Sequence, residues 1–236
     1  MAKNDIETIL PLSPLQHGLL FHALADRSHD PYFIQAGFAL DGALDTDAFQ
    51  RAWQWVAQRH GILRTGFVWE KVEQPLQVVR TQAVIPLHQH DLRAHPDPQG
   101  ELTRILREDR ALGFDLLKAP LMRLTLIRLE EQRHYFFNSH HHLLVDGWSF
   151  ALLLREATLA YEALRRGREP ALPPTASYRS YLAWVGKRDR ASAERFFREA
   201  LARFGSSTPL PYDERLPRQE QPFAEQERSF SLAETA

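Results

Sequence analysis

Apolar residues recur at helical spacing just after Ser13, where Leu15, Leu19, Leu20, Ala23 and Leu24 share one face and Pro11 and Pro14 mark the start. The pattern predicts a helix over 13–27. The segment 32–40 then reads as a buried strand closed by Asp41-Gly42, and Asp45 stands as the cap of a helix carrying Phe49, Trp53, Val56 and Ala57. Segments 64–69 and 76–80 form a predicted hairpin around Glu73-Gln74-Pro75, and 101–112 is an amphipathic helix stopped by Gly113. Two strands follow between 121 and 142, joined by the polar turn Glu130-Glu131-Gln132-Arg133; in the first, Met122, Leu124 and Leu126 alternate with Arg123 and Thr125. A helix over 148–166 comes next, with Arg165 and Arg166 suited to its C-terminal dipole and Gly167 to the position beyond it. Residues 170–175 read as a linker, and 178–188 and 192–204 as two further helices. From 205 to 228 the composition shifts to Pro, Glu, Gln and Ser, as in an interdomain connection. Strand-like alternation over 228–232 then stops at Ala236, as if the chain ended just inside another domain. The order of elements is that of an α+β fold with a mixed central β-sheet flanked by α-helices.

Composition removes several classes of partner. A chain of 236 residues can bury a full core and fits one large domain or one and a half smaller ones. Its formal charge of −1, with both signs mixed throughout, offers no basic face for nucleic acid or for an anionic membrane. Cysteine is absent, which excludes disulfides and thiolate chemistry and suits a reducing compartment. The first residues carry acids where a signal peptide needs an apolar run, and no apolar stretch reaches membrane-spanning length, so a cytoplasmic protein is expected.

The candidate chemistry is concentrated at the end of the second central strand, in Ser139-His140-His141-His142-Leu143-Leu144-Val145-Asp146-Gly147-Trp148-Ser149. Side chains alternate across a strand, so Phe136, Asn138, His140 and His142 are expected on one face, and Tyr135, Phe137, Ser139 and His141 on the other. His142 lies nearest the turn, and burial would favour its neutral, proton-accepting form. Asp146 has three readings open: orienting an imidazole, pairing with an arginine, or capping the helix that starts near Trp148. Gly147 permits a conformation or an approach that a Cβ would block, and free amides at the helix start suit a developing oxyanion. Two other chemistries fit less well. His140 and His142 have the spacing of a metal-ligand pair on a strand, but no third ligand is evident. Ser149 lacks the Gly-x-Ser-x-Gly elbow that exposes a nucleophile.

His141-His142-Leu143-Leu144-Val145-Asp146-Gly147 resembles the His-His-x-x-x-Asp-Gly signature of nonribosomal peptide synthetase condensation domains. Two more segments agree in order. Leu10 to His22, reading Leu-Pro-Leu-Ser-Pro-Leu-Gln-His-Gly-Leu-Leu-Phe-His, resembles the first core motif of that family, in the version typical of domains taking a D-configured donor and an L-configured acceptor. Arg59-His60-Gly61-Ile62-Leu63-Arg64-Thr65-Gly66-Phe67 resembles the second, and Tyr178 to Trp184 is similar to a later Tyr-x-x-Tyr-x-x-Trp element. The chain departs from the pattern at His17 and at Gly61, where glutamate is common.

The resemblance implies a chloramphenicol-acetyltransferase-like two-layer sandwich, of which this chain holds the N-terminal lobe. It divides the chain into a lobe with the catalytic motif over 1–175, crossing helices over 176–204, and a linker with the start of a truncated C-terminal lobe over 205–236. The implied activity is amide formation between thioesters borne on the phosphopantetheine arms of donor and acceptor peptidyl carrier proteins, with no cofactor or metal bound directly. His142 is then the central residue, as general base or as a group holding the amine in line, and Asp146 maintains the loop. Gly147 lets the arm pass close to the backbone, while His141, Trp148 and Ser149 complete the motif. Arg64, or else an arginine in the missing lobe, is the expected salt-bridge partner of Asp146, since a buried carboxylate requires one. Because the motifs begin near Met1, the donor is expected in trans, from an upstream synthetase subunit docking near the N-terminus and ending in an epimerisation domain. Related acyltransferases, epimerisation domains and a noncatalytic carrier-docking module are the alternatives.

Overall fold

The computed structural model describes residues 5–25 and 30–206. The chain divides into two compact units, Met1–Arg188 and Asp189–Ala236. In the first, strand β1 (Ile6–Pro11) leads into helix α1 (Pro14–Ala25), followed by β2 (Phe33–Asp41) and α2 (Thr46–Arg59). A short 3-10 turn at Gly61–Arg64 opens the hairpin of β3 (Thr65–Val68) and β4 (Leu76–Arg80). Then come β5 (Leu87–Asp91), α3 (Pro98–Leu112), β6 (Met122–Glu130), β7 (Arg133–His141), α4 (Gly147–Arg165) and α5 (Tyr178–Gly186).

Two sheets result. The larger has the order β2-β7-β6-β5, antiparallel except for the parallel pair β5 and β6, which is the mixed sheet expected from the sequence. The smaller is the antiparallel set β1-β4-β3, built on the predicted hairpin. The sequence pattern predicts neither β1 nor β5. β1 ends in Leu10-Pro11, which breaks its alternation, and β5 is an edge strand reading Leu-His-Gln-His-Asp, with almost no apolar signal.

Helix boundaries follow their caps. The Asp45 carboxylate accepts from the Ala48 N–H at 2.9 Å, so α2 begins at Thr46 as expected. For α3 the Asp97 carboxylate caps Gly100 with Pro98 in the first turn, starting the helix three residues before the predicted 101. Gly113 (φ 53°) and Gly167 (φ 67°) end α3 and α4 in the left-handed region that glycine occupies without strain.

Side chains on opposite faces of the central sheet bury against different helices. On one face Phe136, Leu124 and Leu126 join Trp53 and Val56 of α2, Leu153 and Ala157 of α4, and Leu20 of α1. On the other, Phe137 and Ile127 meet Leu102 and Ile105 of α3. Each fully buried side chain of this size contributes roughly 1.5–3 kcal/mol. The α3 face also holds a buried polar knot, in which Asp109 pairs with Arg123 and accepts from Gln35 and the Ser139 hydroxyl. The knot anchors β7 two residues before its end. Leu182 of α5 packs with Leu10 and Val79 on the smaller sheet.

The second unit contains α6 (Arg190–Leu201), whose N-cap Asp189 accepts from the Ser192 N–H at 3.0 Å. The strand-like alternation expected over 228–232, and the connection expected over 205–228 apart from Gly205 and Ser206, lie outside the described residues.

Candidate active site

β7 delivers three consecutive imidazoles to the end of the central sheet, and each meets a different environment. His140 is buried, stacks on Phe150 of α4 (ring centroids 5.3 Å apart, planes 12° apart) and lies with Nδ1 2.7 Å from Asn138 Oδ1. Because Asn138 Nδ2 donates to the Ala36 carbonyl, its oxygen faces His140, and the imidazole proton belongs on Nδ1. Burial, reinforced by the charges of His142 and His141, pushes the pKa of His140 down to about 4. It is a neutral core residue.

His141 points to the other face and is 0 % exposed. Its Nδ1 accepts from the Leu143 N–H at 3.1 Å, so its proton belongs on Nε2, which lies 2.9 Å from Asp30 Oδ2. The carboxylate stands off the axis of that N–H, so the contact is a close electrostatic one rather than a linear hydrogen bond.

His142 leaves the strand. It is half-buried at the first turn position after β7, with its backbone N–H bonded to the Tyr32 carbonyl at 2.8 Å and its ring edge-on to Tyr32, centroids 6.4 Å apart. His142 is thus the one histidine of the three with access to solvent and a ring free of the core.

Asp146 closes the short bridge that follows His142 and is the N-cap of α4. Its carboxylate accepts from the Ser149 N–H at 2.8 Å, and the Ser149 hydroxyl and N–H together hold its pKa below the usual carboxylate range. Among the described residues Asp146 therefore acts as the cap of α4, with its charge also felt by His142. The Ser149 N–H is consequently occupied and not available to an oxyanion. Trp148 stands 87 % exposed on the first turn of α4.

One expectation is corrected here and another is narrowed. Arg64 does not pair with Asp146: it is 3 % exposed, with its guanidinium on Glu7 (2.7 Å) and on the carbonyls of Ala57, Gln58 and Arg80. Asp146 is exposed and bonded to its own helix, so it needs no buried cation. Gly147 is not required by conformation either. It has no positive φ, and a Cβ placed there would meet nothing within 4 Å. Any approach that needs a glycine at 147 comes from a molecule outside the described residues.

Gln16 was missed by the sequence reading. Its side-chain oxygen accepts from the Ser13 N–H, Ser13 Oγ accepts from the Gln16 N–H, and Gln16 Nε2 donates to the Leu143 carbonyl at 3.1 Å. The signal was present, since Ser-x-x-Gln before an apolar run is a capping box. Here the box also ties α1 to the loop that carries His142. Asp30 and Tyr32 were missed as well, because no local pattern marks them. Among the described residues no three His, Asp or Glu side chains come together as a metal site would need. No helix among them is long and apolar enough to cross a membrane.

Residues 6–236 match the condensation domain family. The chain belongs to that family. Curated relatives of this condensation domain include a linear gramicidin synthase from Brevibacillus parabrevis, one of whose component proteins is 40% identical over 214 residues, which are 90% of this chain and 3% of the relative. Surfactin synthase subunit 2 of Bacillus subtilis (strain 168) is 34% identical over 238 residues, covering 100% of this chain and 7% of that protein. The chain therefore spans a small part of the synthetase proteins it matches. Among solved structures, the first condensation domain of the calcium-dependent antibiotic synthetase superimposes with a TM-score of 0.77 at 24% identity, covering 87% of this chain and 51% of that one. The starter condensation domain of rhizomide synthetase gives 0.75 at 23%, covering 84% and 49%. These likenesses establish the fold of condensation domains, with this chain as the N-terminal lobe.

Proposed function

We propose that the domain containing this lobe forms amide bonds in nonribosomal peptide biosynthesis, between an acyl donor and an amine acceptor that are both carried as thioesters on phosphopantetheine arms. The acceptor nitrogen attacks the donor carbonyl, the C–N bond forms, the C–S bond breaks, and the arm's sulfur leaves as a thiol once protonated. The nitrogen must lose a proton in the process, and His142 is the group placed to take it or to hold the amine in line. The observation that carries this reading is the position of His142, the half-buried imidazole of the three, just beyond β7 in a chain of the condensation domain family.

Several finer features belong to the same reading. Donor and acceptor carrier proteins are the partners, as suits relatives that are peptide synthetases. One solved starter condensation domain of rhizomide synthetase is in complex with C8-CoA and Leu-SNAC, and coenzyme A ends in the same pantetheine unit. The open space over Gly147 leaves room for such an arm. The opening motif from Leu10 to His22 supports a D-configured donor and an L-configured acceptor. Residues 1–175 form the lobe that bears the catalytic motif, with crossing helices and a linker after it, and a cytoplasmic location suits an enzyme fed by loaded carriers.

The test uses the whole domain in its synthetase module with loaded donor and acceptor carriers. His142→Ala is expected to lower amide formation by about 100-fold or more while leaving thermal stability near that of the parent. Product formation at the parental rate would remove His142 from the chemistry.

A further inference from the structure

The motif suggests that the acid serving its histidines is Asp146, yet that carboxylate caps the first turn of α4 and acts on His142 only as a nearby charge. A different acid reaches them. Asp30 precedes β2, far from the motif in sequence, and its two oxygens divide their work. Oδ1 accepts from the Tyr32 N–H at 2.9 Å, and Oδ2 lies 2.9 Å from Nε2 of the fully buried His141. Among the described residues no other polar group engages that nitrogen. A buried donor without an acceptor is costly, so this carboxylate matters to His141 more than a surface acid would.

The same carboxylate reaches His142 through Tyr32. The Tyr32 carbonyl takes the His142 N–H at 2.8 Å, and the Tyr32 ring lies 6.4 Å from the rings of both His141 and His142. Asp30 thus fixes the residue that holds the His142 backbone and walls its ring, while also fixing the neighbouring imidazole.

We propose that Asp30 is a positioning residue for His142, acting through His141 and Tyr32, and that it fills the orienting role that the motif spacing suggests for Asp146. The proposal rests on the amide-forming reading of the site. The ionised form it needs is supported locally: burial works to raise the pKa of Asp30, but the His141 contact and the Tyr32 N–H outweigh it and hold the carboxyl below its ordinary value.

Asp30→Asn separates the possibilities, because a side-chain amide has one oxygen and can serve Tyr32 N–H or His141 Nε2–H but not both. In the complete module, kcat for amide formation is expected to fall about tenfold or more, with KM for the acceptor carrier changed less than about twofold. Nitrogen NMR of the histidines is expected to show His141 protonated at Nε2 in the parent, and a shifted Nε2 resonance in the variant, where the Leu143 N–H still holds Nδ1 but the carboxylate beside Nε2 is gone. A kcat within about twofold of the parent, or an unchanged His141 spectrum, overturns the proposal. If the variant does not fold, the parent spectrum decides, since a His141 protonated at Nδ1 contradicts the arrangement. Retention of activity in His142→Ala would instead defeat the amide-forming reading, leaving the spectrum to judge Asp30 on its own.

Discussion

His140, His141 and His142 are chemically identical side chains made different by one turn of backbone. His140 offers the cleanest pH test, because its pKa falls from an ordinary 6.5 to about 4 in the folded chain. Between those values the unfolded chain binds a proton that the folded chain refuses, so the unfolded state gains as pH falls. This part of the stability is complete above pH 6.5, declines as pH drops toward 4, and amounts to on the order of 3 kcal/mol. Denaturant titrations from about pH 7 to about pH 4 are expected to show a shallower fall in His140→Gln than in the parent. Equal slopes would mean that His140 is more hydrated than its stacking on Phe150 implies. Alternation along the strand is enough to assign these faces from sequence: Phe136 and Phe137 do bury against different helices. What alternation does not tell is that His142 lies past the last ladder pair, His141 with Phe33, where strand periodicity no longer governs direction.

Arg64 shows how an element can depend on one side chain. Its guanidinium gathers carbonyls from the end of α2 (Ala57, Gln58) and from β4 (Arg80), together with Glu7 of β1. Arg64→Leu is expected to cost about 3 kcal/mol, since it leaves several buried acceptors unserved. Glu7→Gln is expected to cost under about 1 kcal/mol, because Glu7 is half-exposed and its charge is screened. Comparable losses in chemical denaturation of the two variants would mean that the ion pair, not the carbonyl network, is what matters. Elements with a strong local signature are readable in the sequence: α2 from Asp45 and its apolar face, the β3–β4 hairpin from Glu73-Gln74-Pro75, and α4 from its terminal Gly167. β5 is not, because an edge strand with one covered face carries few apolar residues. The Arg64 partnership is also unreadable, since a long side chain can be claimed by any carbonyl the fold brings near.

The whole chain carries apolar side chains that the described residues leave uncovered. Leu15 and Phe21 of α1 are 70 % and 68 % exposed, and Trp148 and Leu152 of α4 are 87 % and 61 % exposed. The solved condensation domains it superimposes on are about twice as long, with the chain covering 51% and 49% of them. The chain alone is therefore expected to bind an apolar dye strongly and to self-associate at micromolar concentration, whereas the complete domain does neither. A monomer with weak dye binding would show that these residues tolerate water unaided. The bridge between His142 and Asp146 has one more consequence. It is pinned to the Tyr32 carbonyl at one end and to the start of α4 at the other, and Leu143, Leu144 and Val145 between them are buried. Such a span works as a ruler: exchanging one aliphatic for another leaves the imidazole where it is, while adding or removing a single residue moves it off its mark.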